Sequence, residues 1–79
     1  MQLEYECIIL NVHDELKRAM KLHPPMNSAH EAYAVILEEL DEFWEEVRKK
    51  TEARDKSRIR QELIQIAAMA CRTIIDLDL

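Results

Sequence analysis

Residues 28–50 read SAHEAYAVILEELDEFWEEVRKK, and this stretch decides the fold. Tyr33, Ile36, Leu37, Leu40, Phe43, Trp44 and Val47 recur at steps of three and four, which gathers them into one apolar stripe of a helix. Ser28 opens the stretch with Glu31 three residues on. This is a capping box, in which each side chain satisfies a free backbone amide near the helix start. Arg48, Lys49 and Lys50 suit the negative end of the helix dipole. The reading is a helix from Ser28 to about Lys50.

Working outward, His23-Pro24-Pro25 lies just upstream. Proline lacks an amide hydrogen and forces the preceding residue out of the α region, so a first helix ends there. That helix runs from about Leu3 to Leu22, with Ile9, Val12, Leu16 and Ala19 on one face and Ile8 and Met20 widening it. Downstream, a polar turn over Thr51 to Lys56 leads into a third helix from about Ser57 to Leu77, capped by Asp55 or Ser57. Ile59, Leu63, Ile66, Ala67, Ala70 and Ile74 line one of its sides, and Ile64, Ala68, Cys71 and Ile75 line the next. Apolar cover over half the circumference calls for two neighbouring helices, one of them expected in another subunit. The fold expected is all-α: three antiparallel helices completed into a bundle by oligomerisation.

Composition agrees with this. There is no glycine in 79 residues, which leaves little room for tight β-turns. One domain, residues 1–79, is all the length allows, and a core of that size is marginal without a metal or a partner subunit. Cys7 and Cys71 are too few for a disulfide framework and sit on helical patterns among apolar residues. They read as buried, reduced thiols of a cytoplasmic protein. No apolar run approaches the roughly 18 residues of a membrane span, and the acidic start MQLEYEC has no basic leader, so neither a membrane nor a signal peptide is expected. The net charge of −5 disfavours a nucleic-acid partner and suits cations.

Between Glu38 and Glu46, six of nine residues are acidic. Such a run is ordinarily a solvated face. Position argues for more. At about 100° per residue, Glu39 and Glu42 share one flank of the apolar stripe, and Glu62 and Gln65 occupy the same offset on the third helix. With the turn centred near Glu52, an antiparallel pair sets Glu42 level with Glu62 and Glu39 level with Gln65. Three carboxylates and an amide oxygen would then converge in one groove. Crowded carboxylates raise each other's pKa, and a hard divalent cation removes that cost, magnesium, manganese or calcium before zinc.

At these residues the chain resembles the MazG-like all-α nucleotide pyrophosphohydrolases. Glu38-Glu39-Leu40-Asp41-Glu42 fits their EExxE signature, and Glu62-Leu63-Ile64-Gln65 stands where they have ExxD. The segments from His23 to Glu31 and from Glu62 to Ala70 look like those of small bacterial and phage members. The resemblance implies cleavage of a nucleoside triphosphate to the monophosphate and pyrophosphate, in dimers or dimers of dimers. Glu39, Glu42 and Glu62, with Gln65, would hold Mg2+, or Mn2+ in its place. Glu38 would be the catalytic residue that orients the attacking water, or a further ligand. Gln65 departs from the pattern: an amide oxygen can coordinate magnesium but brings no charge.

Arg54, Lys56, Arg58 and Arg60 cluster at the start of the third helix. They balance the acids of the second helix, or alternatively meet a triphosphate tail. Arg58 is the substrate candidate among them. Arg72 is a second, its alternative being a salt bridge to Asp76 four residues on. His13, His23 and His30 lack zinc spacing, Trp44 reads as core, and without glycine no P-loop exists. Two functions result: a magnesium-dependent nucleotide pyrophosphohydrolase that clears non-standard or surplus nucleotides, and a non-catalytic helical oligomer that binds without turnover. Gln65 favours the second.

Overall fold

A computed structural model describes residues 4–79 and places three α-helices and no strand among them. They are α1 (Glu4–Leu22), α2 (Ala29–Val47) and α3 (Lys56–Asp76), with a short 3-10 turn at Thr51–Ala53. The expected start at Leu3 lies outside the described residues. α3 is central and packs against both α1 and α2. Two neighbours for its broad apolar cover are thus present within the same chain, although Leu63, Ile74 and Ile75 of α3 stay exposed. The body measures 40 × 35 × 21 Å, and its thinnest dimension is about two helix diameters. A slab this thin has little interior.

The helix ends follow from local chemistry. Ser28 Oγ accepts from Glu31 N at 3.0 Å. The return half of the box is displaced by one residue, since Glu31 Oε2 accepts from Asn27 N and Asn27 Nδ2, both at 3.2 Å, instead of from Ser28. Asp55, and not Ser57, caps α3 by accepting from Arg58 N at 3.2 Å. α2 stops at Val47, short of the expected Lys50, because Arg54 folds back on it: Nη2 donates to Val47 O at 2.6 Å and Nε to Lys49 O at 3.2 Å. The end of α3 is a Schellman motif, with Leu79 N bonded to Ile74 O and Asp78 N to Ile75 O. Its left-handed residue is Asp78, at φ 55°. In a chain without glycine, aspartate is among the residues that tolerate this conformation best.

The buried apolar residues are Ala19, Met26, Ala32, Ala68 and Met69, flanked by Val12, Leu16, Val35, Ile36 and Leu77. Alanines from all three helices let the backbones approach closely. Fourteen large apolar side chains remain exposed among the described residues, so the chain leaves more of them in water than it buries. Tyr33, Leu37, Leu40 and Trp44 are among them, and Trp44 is 57% exposed, contrary to its reading as core. The reason is rotational. α3 takes the face of α2 that carries Ala32, Val35, Glu39, Glu42 and Glu46, so Ile36, Phe43 and Val47 are half-buried at its edge while Tyr33, Leu37, Leu40 and Trp44 point away. Cys7 and Cys71 are free thiols but exposed, not buried as expected, because they too lie on uncovered faces. No helix among the described residues is long and apolar enough to cross a membrane.

Candidate metal centre

The seam between α2 and α3 brings Glu39, Glu42 and Glu62 together. One carboxylate oxygen from each lies within 4.8 Å of the others, Glu39 and Glu42 being half-buried and Glu62 buried. Residues 39 and 42 are one turn apart on α2, and α3 runs antiparallel beside them. Gln65 completes the group, one turn along α3 from Glu62. With its amide nitrogen turned to the carboxylates, it donates to Glu39 Oε2 at 2.9 Å and to Glu62 Oε2 at 3.3 Å. In that orientation Gln65 bonds two of the acids with N–H groups. To offer its oxygen to a cation, the amide would have to turn over.

Electrostatics carry the strain of this arrangement. Burial in the seam, then the charges of Glu42 and Glu62, push Glu39 up to about 7. Glu62 is raised as well, by burial first and then by Glu42, against the lowering effect of Arg58. Carboxylates that resist ionisation because they are crowded and desolvated form a site that gains from added positive charge. The donor set is all oxygen, which fits a hard divalent cation such as magnesium or manganese. Glu39, Glu42 and Glu62 are the residues that would hold it.

The second set of expectations divides. Glu38 is exposed and lines a cavity of about 350 Å3 that also reaches Glu39 and Gln65. Arg58 is half-exposed, with Nε 3.9 Å from Glu62 Oε1 and 3.9 Å from Glu46 Oε2. It borders the carboxylate group as a loose ion-pair partner of both acids, with about half of its side chain open to solvent. Arg72 is buried and follows the salt-bridge alternative. Nε donates to Asp76 Oδ2 at 2.9 Å, Nη1 to Ala19 O at 2.9 Å, and Nη2 to His23 O and Pro24 O, both at 2.7 Å. Asp76 Oδ2 also accepts from Met26 N at 3.0 Å. The pair therefore fastens the Pro-Pro connection to the end of α3, and Arg72 is committed to structure in place of phosphate.

Glu46 was not singled out by the sequence, where it is one acid in a run. It is the most deeply buried large side chain. Glu46 Oε1 accepts from Asp55 N at 2.7 Å and Oε2 from Lys49 Nζ at 3.0 Å. The Asp55 amide, followed by Lys49, holds its carboxyl below the usual carboxylate range. It closes the α2–α3 hairpin and so sets the register of the acids above it. Its only sequence signal is Lys49 three residues on. Comparison of the chain with protein-family models, with curated protein sequences and with solved structures gives no match.

Proposed function

We propose that this chain is a cation-dependent nucleotide pyrophosphohydrolase of the MazG-like type, converting a (d)NTP to the (d)NMP and pyrophosphate in the cytoplasm. The observation that carries the reading is the convergence of Glu39, Glu42 and Glu62 oxygens within 4.8 Å. A magnesium ion held there would neutralise the polyphosphate and make phosphorus more electrophilic. Glu38, at the cavity edge, takes the proton of a water whose oxygen bonds to the α-phosphorus. The bond from that phosphorus to the bridging oxygen breaks, and pyrophosphate leaves with the electron pair. Arg58, beside Glu62, meets charge on the outer phosphates. House-cleaning of non-standard nucleotides is the role that suits such a reaction.

The working form in this reading is a homodimer or a dimer of dimers. The exposed stripe of Tyr33, Leu37, Leu40 and Trp44 supports it, since an apolar patch of that kind marks an interaction surface. The decisive test is a panel of nucleotides incubated with and without magnesium or manganese. Metal-dependent pyrophosphate release, lost in Glu42→Gln, is expected. Absence of release from every nucleotide would favour a second reading, a non-catalytic helical oligomer that binds its ligand without turnover. The specific observation behind that alternative is Gln65, whose amide nitrogen occupies the carboxylates with neutral hydrogen bonds.

A further inference from the structure

The cavity beside the carboxylate group extends away from it toward α1. Its floor is apolar and sulfur-rich, with Met26, Met69 and Val35, and its far wall carries Glu15, Arg18 and His23. At about 350 Å3 it falls within the roughly 300–1,000 Å3 of small-molecule pockets. Two observations distinguish it from an incidental hollow. Met26 and Met69 are buried parts of the core, so the floor is rigidly placed, and thioethers make favourable contacts with aromatic rings. On the α1 side, the half-exposed Arg18 makes a forked pair to Glu15, Nε to Oε2 at 3.0 Å and Nη2 to Oε1 at 2.7 Å. The fork leaves Arg18 donors on Nη1 beside a carboxylate acceptor. The cavity thus combines an edge of hydrogen-bonding groups with an apolar, sulfur-bearing lining.

We infer that this cavity between the three helices and the Pro-Pro connection binds the nucleoside half of the substrate, with the base lying on Met26 and Met69 and its polar edge read by Glu15 and Arg18. The inference rests on the proposed pyrophosphohydrolase reading for what lies at the other end. Glu39 and Gln65 line the cavity and belong to the carboxylate group, so one molecule can reach both places. The division of labour is physical. The acid cluster recognises charge and is indifferent to the base. Away from the carboxylate group, Glu15 and Arg18 on α1 offer an acceptor and a donor with which bases can be told apart, because a polar edge left unpaired is costly whereas an apolar floor discriminates weakly. Base preference is thereby assigned to α1, a helix that contributes nothing to the acidic motif.

The test uses the full chain labelled at its methionine methyl groups. It is titrated in one arm with adenosine, guanosine, cytidine and thymidine, and in the other with magnesium tripolyphosphate, which has no base. At least one nucleoside should move the Met26 and Met69 methyl resonances by ring current and leave Met20, exposed on α1 outside the cavity, unmoved. Arg18→Ala, at an exposed position that tolerates truncation, should weaken that nucleoside about tenfold without altering tripolyphosphate binding. If tripolyphosphate binds and no nucleoside moves Met26 or Met69, the cavity assignment is overturned and the pyrophosphohydrolase reading stands. If nucleosides bind and tripolyphosphate does not, the reverse holds. Nucleoside binding unaffected by Arg18→Ala would overturn the role of the α1 wall.

Discussion

The Gln65 amide reaches to 2.9 Å from Glu39 Oε2, across the seam between the two helices that carry the acids, and with its nitrogen turned to the carboxylate it donates there. A neutral side chain here does part of the work of a cation, since its N–H groups hold together carboxylates that would otherwise repel. The same residue costs the site one negative charge. Stability of the empty form and affinity for metal are therefore set against each other at a single position.

Gln65→Asp should separate the two effects. Adding a charge to the ligand set should tighten magnesium or manganese binding about tenfold, measured by calorimetry. Without metal, the same substitution places a fourth carboxylate where a donor stood and should cost about 1–2 kcal/mol of stability. Thermal melts should show the variant below wild type in chelator and recovering with metal. Unchanged or weaker affinity would remove Gln65 from the ligand set.

A pH dependence follows from Glu39. Its affinity for protons is raised in the folded chain, from an ordinary value of 4.5 to about 7. Between those values the folded state holds more protons than the unfolded one, so stability must fall as pH rises. Glu62 is shifted in the same direction and adds to the trend. The metal-free protein should lose thermal stability steadily from about pH 4.5 to pH 7, and saturating magnesium should flatten the slope. A metal-free melting temperature that climbs through this window would contradict the crowding of Glu39.

Arg72 binds three backbone carbonyls and Asp76 with a single buried guanidinium. Arg72→Met leaves Asp76 buried without its counter-charge and should cost roughly 3 kcal/mol or more. For a chain of this size that lowers Tm by at least about 10 °C. Arg72→Lys should rescue little, because a point charge cannot reach three carbonyls and a carboxylate at once. Wild-type stability in the lysine variant would show that charge, and not the fork, is what matters.

The outward stripe of α2 gives a test of assembly. Leu40→Asp places a charge in the middle of Tyr33, Leu37 and Trp44 at a position already exposed within the chain. It should shift the sedimentation profile from an oligomer toward monomer while the helical circular-dichroism signal persists. An oligomer of unchanged size would place the contact on another face.

Helix starts and the end of α1 were legible because they depend on nearest neighbours, whereas the end of α2 was not, since Arg54 sets it from beyond the turn. Pro24-Pro25 stops α1, Ser28 starts α2 and Asp55 starts α3. Hairpin register was legible too, since a short turn between two long helices leaves few ways to align them. Rotation of α2 was not. Periodicity finds the apolar stripe of Tyr33, Leu37, Leu40 and Trp44 but does not say whether the same chain or another molecule covers it. The acidic flank is held inward by side-chain contacts across the α2–α3 turn, Glu46 gripping Asp55 N and Arg54 gripping Val47 O. Neither contact leaves a periodic trace. The same blindness put Cys7 and Cys71 inside.

The most direct measurement is anomalous diffraction from crystals grown with manganese and a non-hydrolysable nucleoside triphosphate. The account predicts a metal peak in the α2–α3 seam, with oxygens of Glu39, Glu42 and Glu62 at about 2.0–2.2 Å and the polyphosphate completing the shell. A nucleotide bound with its metal elsewhere, and the three carboxylates still paired through Gln65, would contradict it.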